Sequence, residues 1–233
     1  MKNIIKILLL LVVIGILSFV FYIYKLRSLA LEGNALFEYR CLHVNPLLIA
    51  YKNDFLKYAD FLNNYPNTQY TPEDVAGFLD GYIEGMRAYV PEETKWLEMQ
   101  KKFIDRWDYQ LVEPWYIKEA GLYQWKMYEG YRDDAVSLLN LVDNPETANK
   151  NLKPGDTSEE RGRRDAYAEK YFDLFEKASE IPDWRKYFGS VPVPEGCTDE
   201  NMFIPNTSGS IDWDRDSEST PSGVPIDPYG LKA

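Results

Sequence analysis

Histidine is almost missing from this chain: His43 is the only one in 233 residues. That excludes a histidine-based catalytic triad and any multi-histidine metal site. Cysteine is scarce too. Cys41 and Cys197 stand alone, at a spacing that fits no zinc or redox motif. In an oxidising compartment they are candidates for one long-range disulfide; otherwise they are two unrelated thiols. No phosphate-binding glycine loop, nucleophile elbow or haem-attachment motif occurs. Asp and Glu are plentiful, but no pair stands out for acid–base work. The expectation is a protein that is not an enzyme and has no cofactor, with Ca²⁺ as the one candidate discussed below.

Positive charge is also in short supply. There are 26 Lys and Arg against 37 Asp and Glu, a net charge of −11, and two of the cations, Lys2 and Lys6, precede everything else. So acidic a body argues against nucleic acid or an anionic lipid surface as partner. Aromatic residues, by contrast, make up 15% of the chain, including eighteen Tyr and six Trp. That is too many for a disordered protein, and it suits a packed helical domain with aromatic side chains left over for an interface.

The longest apolar run is Ile7–Tyr24, eighteen residues without a charge between Lys6 and Lys25. As a helix it spans roughly 27 Å, close to the ~30 Å hydrocarbon core of a bilayer. The run is long for a signal peptide and ends in the bulky Tyr22, Ile23 and Tyr24. The nearest small-x-small sequence, Ser28-Leu29-Ala30, lies beyond two charges. An uncleaved single-pass signal-anchor is expected, with a cytoplasmic N-terminus and the body in a periplasm or lumen. Gly15 and Ser18 are its small residues and offer a short flat contact patch.

Beyond the span the pattern is helical. Residues 26–39 extend the first helix, with Gly33-Asn34 as an interruption point, and Asn45-Pro46 marks a boundary. Leu47, Leu48, Tyr51, Phe55, Tyr58, Phe61 and Leu62 recur at helical spacing. Thr71-Pro72-Glu73-Asp74 supplies an N-cap, a proline at the first helical position and acids in the first turn. Gly77, Gly81 and Gly85 then line one face, either for close packing within the domain or for a partner. Pro91-Glu92-Glu93-Thr94 predicts the start of a new helix, Glu113-Pro114 an interruption, and Gly130 a kink or turn. The cluster Arg161, Arg163 and Arg164 stands at the start of the last helix, on a solvated face or against acidic partners.

Two short resemblances arise. Gly81-Tyr82-Ile83-Glu84-Gly85 is similar to the glycine–tyrosine signature of small secreted immunity proteins, although Leu79 and Asp80 stand where a cysteine would be expected. The stretch 128–136 resembles the turn between the two helices of a tetratricopeptide repeat, and Pro145 falls where such a repeat ends. Lys126 and Val142 depart from that pattern.

From Pro182 onward the composition shifts to Pro, Gly, Ser and Asp without helical period. Within it Asp212, Asp214, Asp216 and Glu218 alternate on an extended loop, a pattern of oxygen ligands for Ca²⁺ or simply a solvated acidic loop. Asn206-Thr207-Ser208 is a glycosylation sequon, meaningful only in a secretory pathway. The expected fold is mainly α: a transmembrane segment (1–27), a helical bundle of about five to six helices (28–181) and an irregular tail (182–233). The expected role is an accessory or structural subunit of a membrane complex, contacting the bilayer through Ile7–Tyr24 and other subunits through Gly77, Gly81, Gly85, Trp115 and Trp125. The alternative is a membrane-tethered ligand-binding or adaptor module, with a groove near Gly77–Gly85 and Trp115–Tyr131.

Overall fold

A computed structural model describes residues 2–64, 71–144 and 156–197. Among them the chain is mainly helical and has no strand. The order is α1 (Lys2–Tyr39), a π-helical turn (Arg40–Val44), α2 (Asn45–Asn64), α3 (Pro72–Ile104), the short α4 (Tyr109–Val112), α5 (Trp115–Asp143), α6 (Asp156–Ala178) and α7 (Asp183–Gly189).

α1, the π turn and α2 form one continuous rod. Gly33-Asn34 does not break it, because Gly33 is buried against the body and the helix is held on both sides of it. The π turn inserts one extra residue: the Asn45 amide reaches back five positions to the Arg40 carbonyl. That shift turns Arg40, Cys41 and Val44 inward and leaves Leu42 and His43 outside.

α3 returns antiparallel to α2. Its N-terminus closes as a capping box: Thr71 Oγ1 accepts from the Asp74 amide at 3.2 Å and Asp74 Oδ2 accepts from the Thr71 amide at 2.9 Å. Pro91 does not start a helix; α3 runs through it as one element of 33 residues. A mid-helix proline costs ~3 kcal/mol. Here Tyr89, Glu93, Trp96 and Leu97 are all buried around it, and their burial holds the helix together. Likewise α5 continues through Gly130, so the turn of a tetratricopeptide repeat is not formed there. The segment from Pro182, expected to be irregular, opens with the helix α7 before it becomes extended.

The main core lies where α2, α3 and α5 meet: Val44, Leu48, Tyr51, Met86, Tyr89, Trp96, Leu97, Met127, Tyr128 and Ala135. α6 packs on the outer face of α5 through Ala120, Tyr171 and Leu174. The first part of α1 takes no share in this, since every residue from Asn3 to Phe21 is exposed.

The glycine face of α3 is consumed inside the chain. A Cβ on Gly85 would lie 2.4 Å from the Tyr51 Cβ and 3.1 Å from its Cα. At Gly81 it would meet Asp54 Oδ2 at 2.6 Å. Both face α2, and at Gly85 the helices approach closely enough to reach the Tyr51 backbone. Gly77 has open space around it. Gly85→Ala must move the α2 backbone, and we expect it to cost about 1–3 kcal/mol of stability despite alanine's higher helix propensity. Gly77→Ala is expected to gain up to about 1 kcal/mol. Chemical denaturation of the two variants checks the opposite signs.

Candidate functional site

The densest chemistry in the fold is at the π turn. Arg40, the last cation before Cys41, is carried into the core by the extra residue. It meets Glu93, one turn below Tyr89 on α3. Arg40 Nη1 donates to both Glu93 carboxylate oxygens, at 2.9 and 3.1 Å, and the Glu93 side chain is fully buried. The guanidinium lies between two aromatic faces, 4.1 Å from the Trp96 ring centroid and 3.5 Å from that of Tyr128. Burial disfavours the charged guanidinium, but the facing Glu93 carboxylate outweighs it and keeps Arg40 firmly protonated. Burial also pushes the Tyr128 phenol up to about 12, and Tyr89 well above its ordinary value with Glu93 adding to the effect. Neighbouring contacts repeat the same pairing of helices: Tyr39 donates to Glu92, and Trp96 Nε1 donates to the Leu36 carbonyl at 3.1 Å.

The next residue, Cys41, is joined to Cys197 in a disulfide with a Cα–Cα distance of 5.7 Å. The bond ends a strap. After α7 packs at Tyr22 and Leu26, the chain runs along α1, where Asn34 Nδ2 donates to the Pro192 carbonyl at 3.2 Å, and it reaches the π turn at Cys197.

A second ionic cluster ties α1 to the turn after α3. Asp108, whose side chain is almost fully buried, accepts from Lys25 Nζ at 2.9 Å and from Arg106 Nε and Nη2 at 2.9 and 2.8 Å; Arg106 also reaches Glu32. A third joins α7 to α4: Arg185 Nη2 donates to the Val112 carbonyl and to Glu113, both at 2.7 Å.

Two cavities border these groups. One, of about 90 Å³, is lined by Arg40, Leu36, Gln100, Gln124 and Tyr171. It has room for a few waters and falls short of the several hundred Å³ of an organic-ligand site. The other is an open groove of about 560 Å³ along α3 and α5, with Leu97 and Trp125 at its floor and Lys101, Lys102, Arg106 and Arg132 on its rim.

The residues expected to form an interface are thus dispersed. Trp125 is turned inward and donates Nε1 to the Leu97 carbonyl at 3.0 Å, so it serves the fold. Trp115 is exposed at the start of α5. Gly15 and Ser18 lie on the bare part of α1. Asp212, Asp214, Asp216 and Glu218 lie outside the described residues, as does the sequon at Asn206; among the described residues no group of three or more metal-binding side chains converges. His43 is exposed beside Tyr39, ring centroids 4.8 Å apart. Arg40, Glu93 and Asp108 went unmarked in the sequence reading. Glu93 has one local signal, a charge at a helical position whose neighbours Tyr89, Val90, Trp96 and Leu97 are apolar, and Arg40 shares it through Leu36, Phe37 and Val44; Asp108, in the turn after α3, has none.

No protein-family model, characterised protein or solved structure matches this chain.

Arg40→Met or Glu93→Leu alone strands one buried charge and is expected to cost about 3–5 kcal/mol. The double variant Arg40→Met, Glu93→Leu is expected to recover most of that loss, and urea unfolding of the four proteins measures the coupling. The Asp108 carboxyl is held well below the usual carboxylate range by hydrogen bonds from Arg106 and then Lys25. Its stabilisation is therefore complete above about pH 4 and fades as the pH falls further. Asp108→Asn is expected to lower Tm at pH 7 and to flatten the acid limb of the Tm–pH profile, read by circular dichroism.

Proposed function

We propose that this protein is a single-pass membrane-anchored accessory subunit that stabilises or helps assemble a larger membrane protein complex through its helical body. The observation that carries the reading is the bare apolar part of α1. Fifteen or so bulky side chains stand exposed there, each worth roughly 1.5–3 kcal/mol if removed from water, and nothing within the described fold covers them. A bilayer would. Reading it as an anchor rather than a leader draws on the continuity of the same helix into the body, where Arg40 and the disulfide beside it hold the chain. A disulfide favours an oxidising compartment, which fits a cytoplasmic N-terminus with the body in a periplasm or lumen. The buried charges favour a structural role over chemistry: Arg40 is engaged by Glu93, Asp108 by Lys25 and Arg106, and Arg185 by Glu113.

A second reading, a tethered binding or adaptor module, draws on the groove along α3 and α5, which is lined by Lys101, Lys102, Arg106 and Arg132 together with Glu98 and Asp105. Mild-detergent extraction followed by native mass measurement separates the two. The subunit reading expects co-purifying chains in an assembly well above 27.2 kDa; the isolated monomer would overturn it. Protease added outside intact spheroplasts is expected to cleave the body, and full protection would reverse the orientation.

A further inference from the structure

The tryptophans among the described residues divide into two groups. Trp96 and Trp125 point inward and donate to backbone carbonyls. Trp107, Trp115 and Trp184 are exposed, at 73%, 66% and 48%. All three belong to the two segments that gather round α1 just where its charge-free run ends: the turn 105–115 and α7. The Trp184 ring lies 6.3 Å from that of Tyr22. The Lys25 ammonium lies 5.7 Å from the Trp107 ring. Val112 and Ile117, on either side of Trp115, close on Leu26 and Leu29. The same two segments also expose Leu111 and Tyr187, at 60% and 79%, and Phe188.

We propose that this face is a lipid-interface seat, a collar of Trp107, Trp115, Trp184 and Tyr187 lying at the headgroup level of the bilayer that α1 crosses, with Leu111 and Phe188 reaching the acyl boundary. The proposal rests on the reading of α1 as a membrane span. Three observations select lipid as the occupant. First, the face is continuous with the exposed apolar helix, so one hydrophobic surface would pass from span to body without a break. Second, Lys25 stands at the junction with its ammonium 5.9 Å from the Phe21 ring and 5.7 Å from Trp107, the position of a snorkelling cation between an apolar core and an aromatic belt. Third, three acids of this face are matched, Asp108 by Lys25 and Arg106, Glu113 by Arg185, and Asp105 by Lys101, and the exposed Asp183 shares its short helix with Lys186. A body of strongly negative net charge thus presents a nearly neutral base, suited to zwitterionic headgroups.

The seat is also rigid. Arg185 clamps α7 to α4, Lys25 clamps the turn to α1, and the disulfide at Cys197 closes the strap that follows α7. Seating would hold the body at one height and tilt above the membrane, and so orient the groove and the far end of α2 and α3 for a partner.

Brominated-lipid quenching tests this on the full chain reconstituted in phosphatidylcholine vesicles, with bromine on acyl carbons near the headgroup. Three of the five tryptophans among the described residues would face bromine, so emission is expected to fall clearly relative to unbrominated vesicles. The variant Trp107→Phe, Trp115→Phe, Trp184→Phe is expected to float with the vesicles and to melt as the parent does, since the three rings are exposed, while losing most of the quenching. A parent chain that floats but emits equally in both lipids overturns the seat and assigns the face to a protein partner. A chain that fails to float overturns the span itself, and the seat falls with it.

Discussion

A guanidinium in a protein core must bring its own counter-charge, and that requirement organises this fold. Once the π turn carries Arg40 inward, one position on α3 can receive it, and Glu93 occupies it with both carboxylate oxygens. The pairing sets the register of the whole α1–α2 rod against α3, because a slide of one turn would leave two buried charges apart at a cost of about 3–5 kcal/mol. Burying a pair adds little net stability compared with an apolar replacement. Its effect is specificity, and the neighbouring contacts follow from it. With Arg40 seated, Trp96 meets the Leu36 carbonyl, Tyr39 meets Glu92, and Cys41 faces the strap at Cys197.

The same register explains the glycines. Gly81 and Gly85 are spent on bringing α2 close enough to α3 for Val44 and Leu48 to join Met86 and Tyr89 in one core. A shared face of three glycines was visible in the sequence, and so was the chance that it is used internally. What covers it was not, since Asp54 and Tyr51 reach it only through the α2–α3 hairpin.

Legibility followed the range of each interaction. The apolar run ending at Tyr24, the capping box at Thr71 and the helical spacing of the apolar residues are local, and they read directly from the chain. Pro91, Gly33 and Gly130 do not end their helices, for one common reason. Each is a breaker by local propensity, and each lies in a helix held by tertiary contacts, as Tyr89 and Glu93 hold α3 around Pro91. The ionic pins were invisible as pins because their partners are far apart in sequence: Arg40 and Glu93 by 53 positions, Lys25 and Asp108 by 83. The π turn has no residue signature at all.

The distribution of charge and aromatic surface along the rod then has a single sense. Fully buried ions sit at Arg40, in the middle of the body. On its lower edge Asp108 and Arg185 are buried as well, each beside a partly exposed partner: Lys25 and Arg106 for Asp108, Glu113 for Arg185. Below Lys25, no charge appears until Lys6. Among the described residues, the exposed tryptophans lie at the edge between these zones. In water so much exposed apolar surface is unfavourable. The proposed span would relieve it, with ion pairs kept in the body, amphipathic rings at a boundary, and plain hydrocarbon side chains beyond it.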